Sequence, residues 1–133
     1  MRQFNFAAFG VRLAGVEACS EYFEPILADR SEEILLAALV NEDGCVIRLL
    51  SFPGGNDSVR VEVRMIISEA LKRDAAGLVI AHNHPSGDER PSQDDRDFTT
   101  KLARACAACG LTLLDHLILG RCRIYSFRRA GLV

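Results

Sequence analysis

Two of the three histidines in this sequence lie in a segment that could hold a metal ion. His82 and His84 are separated by one residue and directly follow the apolar run 77–81. Side chains at positions i and i+2 of an extended segment project from the same side, so both imidazoles would point in one direction. Two imidazole nitrogens and a carboxylate from the next element can bind zinc and leave a fourth position open. An open position indicates a catalytic metal rather than a structural one.

Asp95 is the carboxylate that could complete this ligand set. It precedes Phe98 by three positions and Leu102 by seven, so it lies on the inward side of the first turn of a predicted helix. A carboxylate facing a core is costly unless it is paired or binds a cation. Ser92 and Asp95 also have the Ser-x-x-Asp spacing of a helix capping box. Capping and metal binding both stay open for Asp95 at this point.

The elements that must position these residues are predicted from the periodicity of apolar residues. In chain order they are a helix over 11–28, strands over 33–40 and 45–51, a helix through 63–71 that ends near 73, a strand over 77–81, a helix through 98–109 that stops at 110, and strands over 111–119 and 123–127. Pro25 should kink or split the first helix near Glu24. Residues 52–58 contain a proline and a glycine pair and are predicted to form a loop. The order indicates a mixed α/β domain.

Composition and charge restrict the class of protein. The chain has 133 residues, of which 49% are hydrophobic and 26% charged, and this predicts one domain over residues 1–133. A net charge of −2 argues against nucleic acid as the main ligand. The arginines near the end are predicted to form a solvated edge. No apolar run approaches the roughly 18 residues of a membrane span.

The five cysteines are predicted to be free thiols in a reducing, cytoplasmic compartment. Their number is odd, and Asn5 and Arg12 interrupt the mildly apolar N-terminal segment that a secretory signal would need. Cys106 and Cys109 form a C-x-x-C spacing near the end of a predicted helix. Both are placed on its apolar stripe, and core packing is favoured over redox or zinc chemistry.

The sequence resembles a known family of metallopeptidases. The pattern H-x-H, Pro, then Ser-x-x-Asp, with ten residues between His84 and Asp95, is similar to the metal signature of the JAB/MPN (JAMM) family. Residues 82–88, 114–120, 125–127 and 131–132 resemble its RadC-like branch, and the similarity extends over roughly residues 11–133. The resemblance implies a single JAMM/MPN-type α/β domain with a curved mixed β-sheet packed between helices.

The resemblance also implies a role for each residue of the site. The zinc ligands would be His82, His84 and Asp95. Glu33 matches the place of the family's catalytic glutamate at the start of the first strand after the first helix, and the adjacent Glu32 is the alternative. Ser92 matches the family serine that hydrogen-bonds the substrate oxyanion or the metal-bound water. Zinc lowers the pKa of bound water from about 15.7 toward about 7, and a nearby carboxylate can pass its proton to a leaving amine.

Asp115 and His116 are a polar pair inside the predicted strand 111–119. Adjacent strand residues face opposite sides, so the two cannot both point toward the metal. One hypothesis is that Asp115 hydrogen-bonds a zinc-binding imidazole and orients it. The alternative is a buried Asp and His satisfied by backbone groups.

The sequence is compatible with three functions. The first is a zinc-dependent hydrolase that cleaves a peptide or isopeptide bond in a polypeptide substrate. The second is a DNA-repair or mobile-element accessory module whose metal site is structural or unused. Only about ten residues precede the first helix, so a DNA contact through the helix-hairpin-helix region common in RadC-like proteins is expected to be absent. The third is a hydrolase of a small non-peptide amide. The substrate and the oligomeric state stay open.

Overall fold

A mixed β-sheet with helices on both faces accounts for the described part of the chain. The computed structural model describes residues 2–3, 10–54 and 59–133. The helices are α1 (Gly15–Leu27), α2 (Val59–Lys72) and α3 (Gln93–Ala108). The strands are β1 (Arg2–Gln3), β2 (Ile34–Val40), β3 (Val46–Pro53), β4 (Gly77–Asn83), β5 (Thr112–Leu119) and β6 (Ile124–Ser126). The predicted α/β class and the predicted sheet between helices are confirmed.

The strand order brings distant parts of the chain together. The sheet has the order β1-β3-β2-β4-β5-β6, and its pairs are antiparallel except for β4 and β5. The parallel β4 and β5 are connected through α3, as parallel neighbours require. β2 runs antiparallel to β4 with Leu35 opposite His82, so the start of β2 lies beside the end of β4.

Alternation along the central strands divides the core between two faces of the sheet. Leu35, Ala37 and Leu39 of β2 pack on the face covered by α2 and α3. Leu36 and Ala38 pack on the opposite face against α1. A strand buried on both faces has no polar alternation, which explains the continuous apolar run of β2.

An irregularity in β5 determines which of its side chains face α3. The register between β4 and β5 shifts so that Leu78 pairs with Leu113 while Val79 pairs with Asp115. Leu114 is the extra residue, as in a β-bulge. Leu114 and Asp115 therefore both face α1, where they line one cavity with residues of that helix. His116 returns to the α3 side and lies against Phe98.

Several element predictions need correction. The helix α1 continues through Pro25 to Leu27 without the predicted split. Pro25 removes one backbone N–H from the last turn, but Phe23 and Leu27 on either side of it are buried and hold that turn against the core. Phe52 and Pro53 belong to β3 rather than to a loop. Pro53 is the last residue of that strand and lies beyond the two residues of β3 that pair with β1, so one side of the strand is an edge there.

Further differences concern strand ends and cysteines. β4 extends two residues beyond the prediction, through His82 and Asn83, and the two-residue β1 was not predicted. The predicted loop residues 55–58 lie outside the described residues. All five cysteines are free thiols. Cys106 is buried as predicted, and burial raises its pKa to about 11, but Cys109 is exposed at the helix end.

None of the three helices in the described part of the chain is both long enough and apolar enough to cross a membrane.

Candidate metal centre

Three elements meet at the edge of the sheet where β4 ends. β4 supplies His82 as its penultimate residue, and His84 follows its last residue. Glu33 directly precedes β2, which the antiparallel register places beside the end of β4. Asp95 lies in the first turn of α3. The ligand atoms of these four side chains all lie within 4.8 Å of one another.

The distances within this group are those of contacting polar atoms. His82 Nε2 lies 2.9 Å from His84 Nε2. The Asp95 carboxylate spans both rings, with Oδ1 3.2 Å from His82 Nε2 and Oδ2 3.2 Å from His84 Nε2. Glu33 Oε1 is more distant, at 3.5 Å from His82 Nε2 and 3.9 Å from His84 Nε2. Two imidazoles and one carboxylate therefore form the inner group, and Glu33 stands at its open side.

The turn after β4 fixes the orientation of the His84 ring. His84 Nδ1 donates to the carbonyl oxygen of Asp88 at 2.7 Å. A carbonyl can only accept, so the neutral ring carries its hydrogen on Nδ1 and has a bare lone pair on Nε2. The turn that presents this carbonyl passes through Gly87 at φ 90°, a conformation that favours glycine. The lone pair of His84 Nε2 thus points at the Asp95 carboxylate and at the other imidazole, an arrangement that a cation would stabilise.

Asp95 forms a helix capping box and also belongs to the group that could hold a metal ion. The Ser92 hydroxyl accepts from the Asp95 backbone N–H at 3.0 Å, and the Ser92 backbone N–H donates to Asp95 Oδ2 at 2.8 Å. These are the two bonds of a capping box. Burial alone would raise the pKa of Asp95, but the adjacent His82 imidazole and the two bonds of Ser92 outweigh it and lower that pKa. The cap therefore holds an ionised carboxylate against the imidazoles.

Backbone contacts hold Glu33 at the group. Asn83 Oδ1 accepts from the Ile34 N–H at 2.7 Å, and Asn83 Nδ2 donates to the Glu32 carbonyl at 2.9 Å. The Gly54 N–H donates to the Glu33 carbonyl at 2.7 Å, and a Cβ at position 54 would overlap that carbonyl. The residues on both sides of Glu33 are therefore anchored. Glu32 is exposed and its side chain is not part of the four-residue group.

Replacing Asn83 with Ala is expected to lower the free energy of unfolding by about 1–3 kcal/mol, because it leaves the part-buried Ile34 N–H and Glu32 carbonyl without their partner. It should also weaken any activity that depends on the position of Glu33. Denaturant unfolding and a hydrolysis assay measure the two effects. Asn41→Ala is the matched control, since Asn41 Oδ1 accepts from two backbone N–H groups in the distant β2–β3 turn. An equal loss of activity in both variants would contradict the anchoring role.

A cavity of about 510 Å³ opens beside the group, on the α2 and α3 side of the sheet. Its wall includes Glu33, Ser92, Phe98 and Lys101. Glu62 of α2 also lines it, and burial, aided by the charge of Glu33, raises the pKa of Glu62. Ser92 is exposed at the wall, and its hydroxyl hydrogen is not used by the capping box. The structure thus brings Glu33 and Ser92 to one space with the imidazoles.

Asp115 is not part of this group, and the hypothesis that it orients a ligand is wrong. The bulge in β5 turns its side chain to the α1 face, where its carboxylate accepts from three donors. They are the His116 N–H at 2.7 Å, the Arg128 N–H at 3.0 Å and the Ser126 hydroxyl at 2.6 Å. The alternative, an Asp and a His satisfied by backbone groups, holds for Asp115 except for the Ser126 hydroxyl, but not for His116, whose ring contacts the side chains of His82 and Thr99. The polar side chain behind His82 is instead His116.

Asp115→Ala is expected to destabilise the fold by about 1–3 kcal/mol or more, because three donors lose their acceptor. The metal content of the folded protein should not change. Urea unfolding and metal analysis of the same samples measure both quantities. Ser126→Ala, which removes one of the three donors, should have a smaller effect on stability. A fall in metal content in an Asp115→Ala protein that keeps its fold would instead support a role for Asp115 in orienting a metal-binding imidazole.

Comparison with known families matches residues 13–132 to the RadC-like JAB domain. The chain belongs to this family. Every member of the four-residue group lies inside the matched segment. The UPF0758 protein Shew185_0376 of Shewanella baltica (strain OS185) is 37% identical over 123 residues, which are 92% of this chain and 55% of that protein. The chain thus spans about half the length of this relative.

Within this RadC-like JAB domain, sequence reasoning missed three residues around the site. They are Asn83, Thr99 and His116. Asn83 was treated only as the spacer between two histidines, and Thr99 carried no signal because a threonine in a helix is usual. His116 had a signal, since a polar pair inside an apolar strand is unusual, but its side of the sheet could not be read. Burial and the neighbouring His82 lower the pKa of His116 well below its ordinary value, so this ring is neutral.

Proposed function

We propose that the chain is a zinc-dependent amide hydrolase that cleaves a peptide or isopeptide bond. One observation carries the proposal. A ring nitrogen of His82, one of His84 and the Asp95 carboxylate converge within 4.8 Å of one another, with Glu33 and Ser92 beside them on the wall of an open cavity. Converging donors favour a cation, and the adjacent acid and hydroxyl are the groups that amide hydrolysis requires.

Zinc fits the donor set better than magnesium or calcium. Two imidazoles and one carboxylate are a usual set for catalytic zinc, whereas magnesium and calcium prefer oxygen ligands throughout. Glu33 lies farther from the imidazole nitrogens than Asp95 does, which assigns it to proton transfer rather than to the ligand set. When bound, zinc would supply a Lewis acid and a water acidic enough to lose its proton near neutral pH.

Glu33 and Ser92 then divide the work of the protein groups. The Glu33 side chain is 44% exposed and faces the open side of the site, so it can take a proton from water and pass it to the leaving amine. The Ser92 oxygen is engaged by the Asp95 N–H, which directs the remaining hydroxyl hydrogen away from the cap. Donated to the oxyanion that develops on the scissile carbonyl, such a bond contributes typically a few kcal/mol in the transition state.

The cavity supports a polypeptide or another amide as the substrate. It is open to solvent on the side of Glu33, and Phe98 supplies an apolar surface against which a side chain of the substrate could pack. Lys101 and several carboxylates surround this apolar part. The cavity volume of about 510 Å³ lies within the range typical of ligand-binding sites.

The test compares the metal-free protein with the same protein reconstituted with Zn²⁺. Quenched-fluorescent peptides, isopeptide-linked reporters and small amides serve as substrates, and fluorescence anisotropy with labelled DNA at several salt concentrations runs in parallel. Hydrolysis that requires Zn²⁺ supports the proposal. Salt-dependent DNA binding without hydrolysis of any reporter would overturn it in favour of an accessory module with a structural or unused metal site.

A further inference from the structure

A chain of hydrogen bonds leads from Asp95 through α3 and β5 back to His82. His116 is 1% exposed. The Phe127 ring is stacked on its ring with the ring centres 4.5 Å apart, and the Phe98 ring lies edge-on with the ring centres 6.5 Å apart. Its Nε2 lies 2.8 Å from His82 Nδ1 and its Nδ1 lies 2.6 Å from Thr99 Oγ1. Because packing fixes the ring plane, the direction of each hydrogen bond can be worked out from the partners.

Thr99 sets the direction at one end of this chain. Its hydroxyl lies 2.6 Å from the Asp95 backbone carbonyl, one helical turn earlier in α3. A hydroxyl has one hydrogen and a carbonyl can only accept, so Thr99 donates to Asp95. The second contact of the hydroxyl must therefore be an accepted bond. His116 is the donor, and its single ring hydrogen lies on Nδ1.

The direction at the other end follows. His116 Nε2 has no hydrogen and accepts from His82, whose hydrogen therefore lies on Nδ1. His82 Nε2 is left as a bare lone pair, and it points at Asp95 Oδ1 and His84 Nε2. The chain closes on Asp95, whose carbonyl receives the bond from Thr99 and whose carboxylate faces His82.

We propose that His116 is a positioning residue that, with Thr99, holds His82 in the tautomer that can bind a metal through Nε2. The proposal rests on the proposed metal site. His116 would accept the ring hydrogen of His82 and so orient its imidazole, as a carboxylate or a carbonyl does for other metal-binding histidines. For His84, the Asp88 carbonyl performs that task directly.

The alternative is that His116 and Thr99 only fill the core, and Thr99→Val separates the two. Valine keeps the shape of threonine but cannot accept from His116 Nδ1. A hydrogen on His116 Nδ1 would then lack an acceptor, so the ring hydrogen is favoured on Nε2. There it faces His82 Nδ1 and disfavours the tautomer of His82 with its hydrogen on Nδ1. We expect Thr99→Val to bind Zn²⁺ about 10–100-fold more weakly than the wild type, measured by competition with a chromophoric chelator.

The chain offers a close control in the next residue. Thr100 makes the same hydroxyl bond to the carbonyl one turn earlier, at 3.0 Å from Arg96 O, but it is exposed and does not contact the site. Thr100→Val and Thr99→Ser should both retain wild-type Zn²⁺ affinity. If Thr99→Val binds Zn²⁺ as tightly as Thr100→Val, the positioning role is overturned.

A second pair of variants covers the case in which Thr99→Val fails to fold. Glutamine at position 116 offers an amide oxygen that can accept from His82 Nδ1, whereas leucine offers no acceptor. His116→Gln should therefore bind Zn²⁺ more tightly than His116→Leu, and the reverse order would contradict the proposal.

The tautomers themselves provide a readout that does not involve the metal. Long-range ¹H–¹⁵N spectra of the imidazoles should show His116 and His82 with their hydrogens on Nδ1 in the wild type. A hydrogen on His116 Nε2 would overturn the proposal whatever the Zn²⁺ affinity. If the wild type binds no Zn²⁺ but shows the expected tautomers, the proposed function fails while the orientation by His116 stands.

Discussion

Glu33→Gln is expected to lower the rate of amide hydrolysis by about 10²–10⁴-fold while the metal content stays at the wild-type level. Glutamine keeps the size of the side chain and its backbone anchors, but its amide cannot take a proton from water. Glu33 Oε1 lies 3.5 Å from His82 Nε2 and 3.9 Å from His84 Nε2, outside the inner group of His82, His84 and Asp95. Metal binding should therefore persist in Glu33→Gln. Turnover of a reporter and metal analysis of the same sample measure the two quantities.

Glu32→Gln is the matched control for this substitution. Both glutamates lie on the exposed segment before β2, but only Glu33 belongs to the group around His82. Glu32→Gln should therefore retain wild-type turnover. A loss of turnover in Glu32→Gln with full activity in Glu33→Gln would show that the general base is Glu32 and not Glu33. Loss of metal in Glu33→Gln would instead mean that this carboxylate is a ligand.

The convergence of His82, His84 and Asp95 could be predicted because its determinants are local in the sequence. His82 and His84 need only an extended backbone to point the same way, and Asp95 needs only the first turn of a helix. The ambiguity between a cap and a ligand also had a local cause, since one carboxylate can accept from Ser92 and still face two imidazoles. The two interpretations do not exclude each other, because the capping carboxylate also belongs to the group that could hold a metal ion.

The side of the sheet on which Asp115 and His116 lie could not be predicted. Strict alternation from Leu113, which packs against α2 and α3, would place Asp115 on the α3 side and His116 on the α1 side. The extra residue Leu114 reverses this assignment. A bulge depends on pairing with a strand more than 30 residues earlier, and nothing in residues 111–119 marks it.

The anchoring of Glu33 was equally invisible, because it depends on contacts between distant residues. Asn83 reaches the backbone on both sides of Glu33 across sequence separations of 49 and 51 residues. The sequence could place a glutamate at the start of the first long strand but could not choose between Glu32 and Glu33 by any local rule. The antiparallel register of β2 and β4 places Glu33, and not Glu32, in the group around His82.

Asp95→Asn is expected to reduce bound zinc from about one per chain to well below that, without loss of the fold. Asparagine keeps an oxygen that can accept from the Ser92 N–H, so the capping box survives in part. It removes the negative charge that spans the two imidazoles, and a neutral amide is a poor zinc ligand. Asp95→Ala would be less informative, because it also removes the acceptor of the Ser92 N–H, which is one of the two bonds of the capping box. Metal analysis after dialysis and thermal unfolding measure the two effects.

Asp94→Asn supplies the comparison that isolates the ligand role. Asp94 lies in the same first turn of α3 and lines the same cavity, but its carboxylate is not in the four-residue group. Both substitutions remove one negative charge near the same helix N-terminus, so their effects on the helix dipole should be similar. If both variants lose zinc equally, the general negative potential of the cavity retains the metal. If only Asp95→Asn and His84→Ala lose it, the imidazoles and the capping carboxylate are the ligands, and the residues that orient them become the determinants of metal affinity.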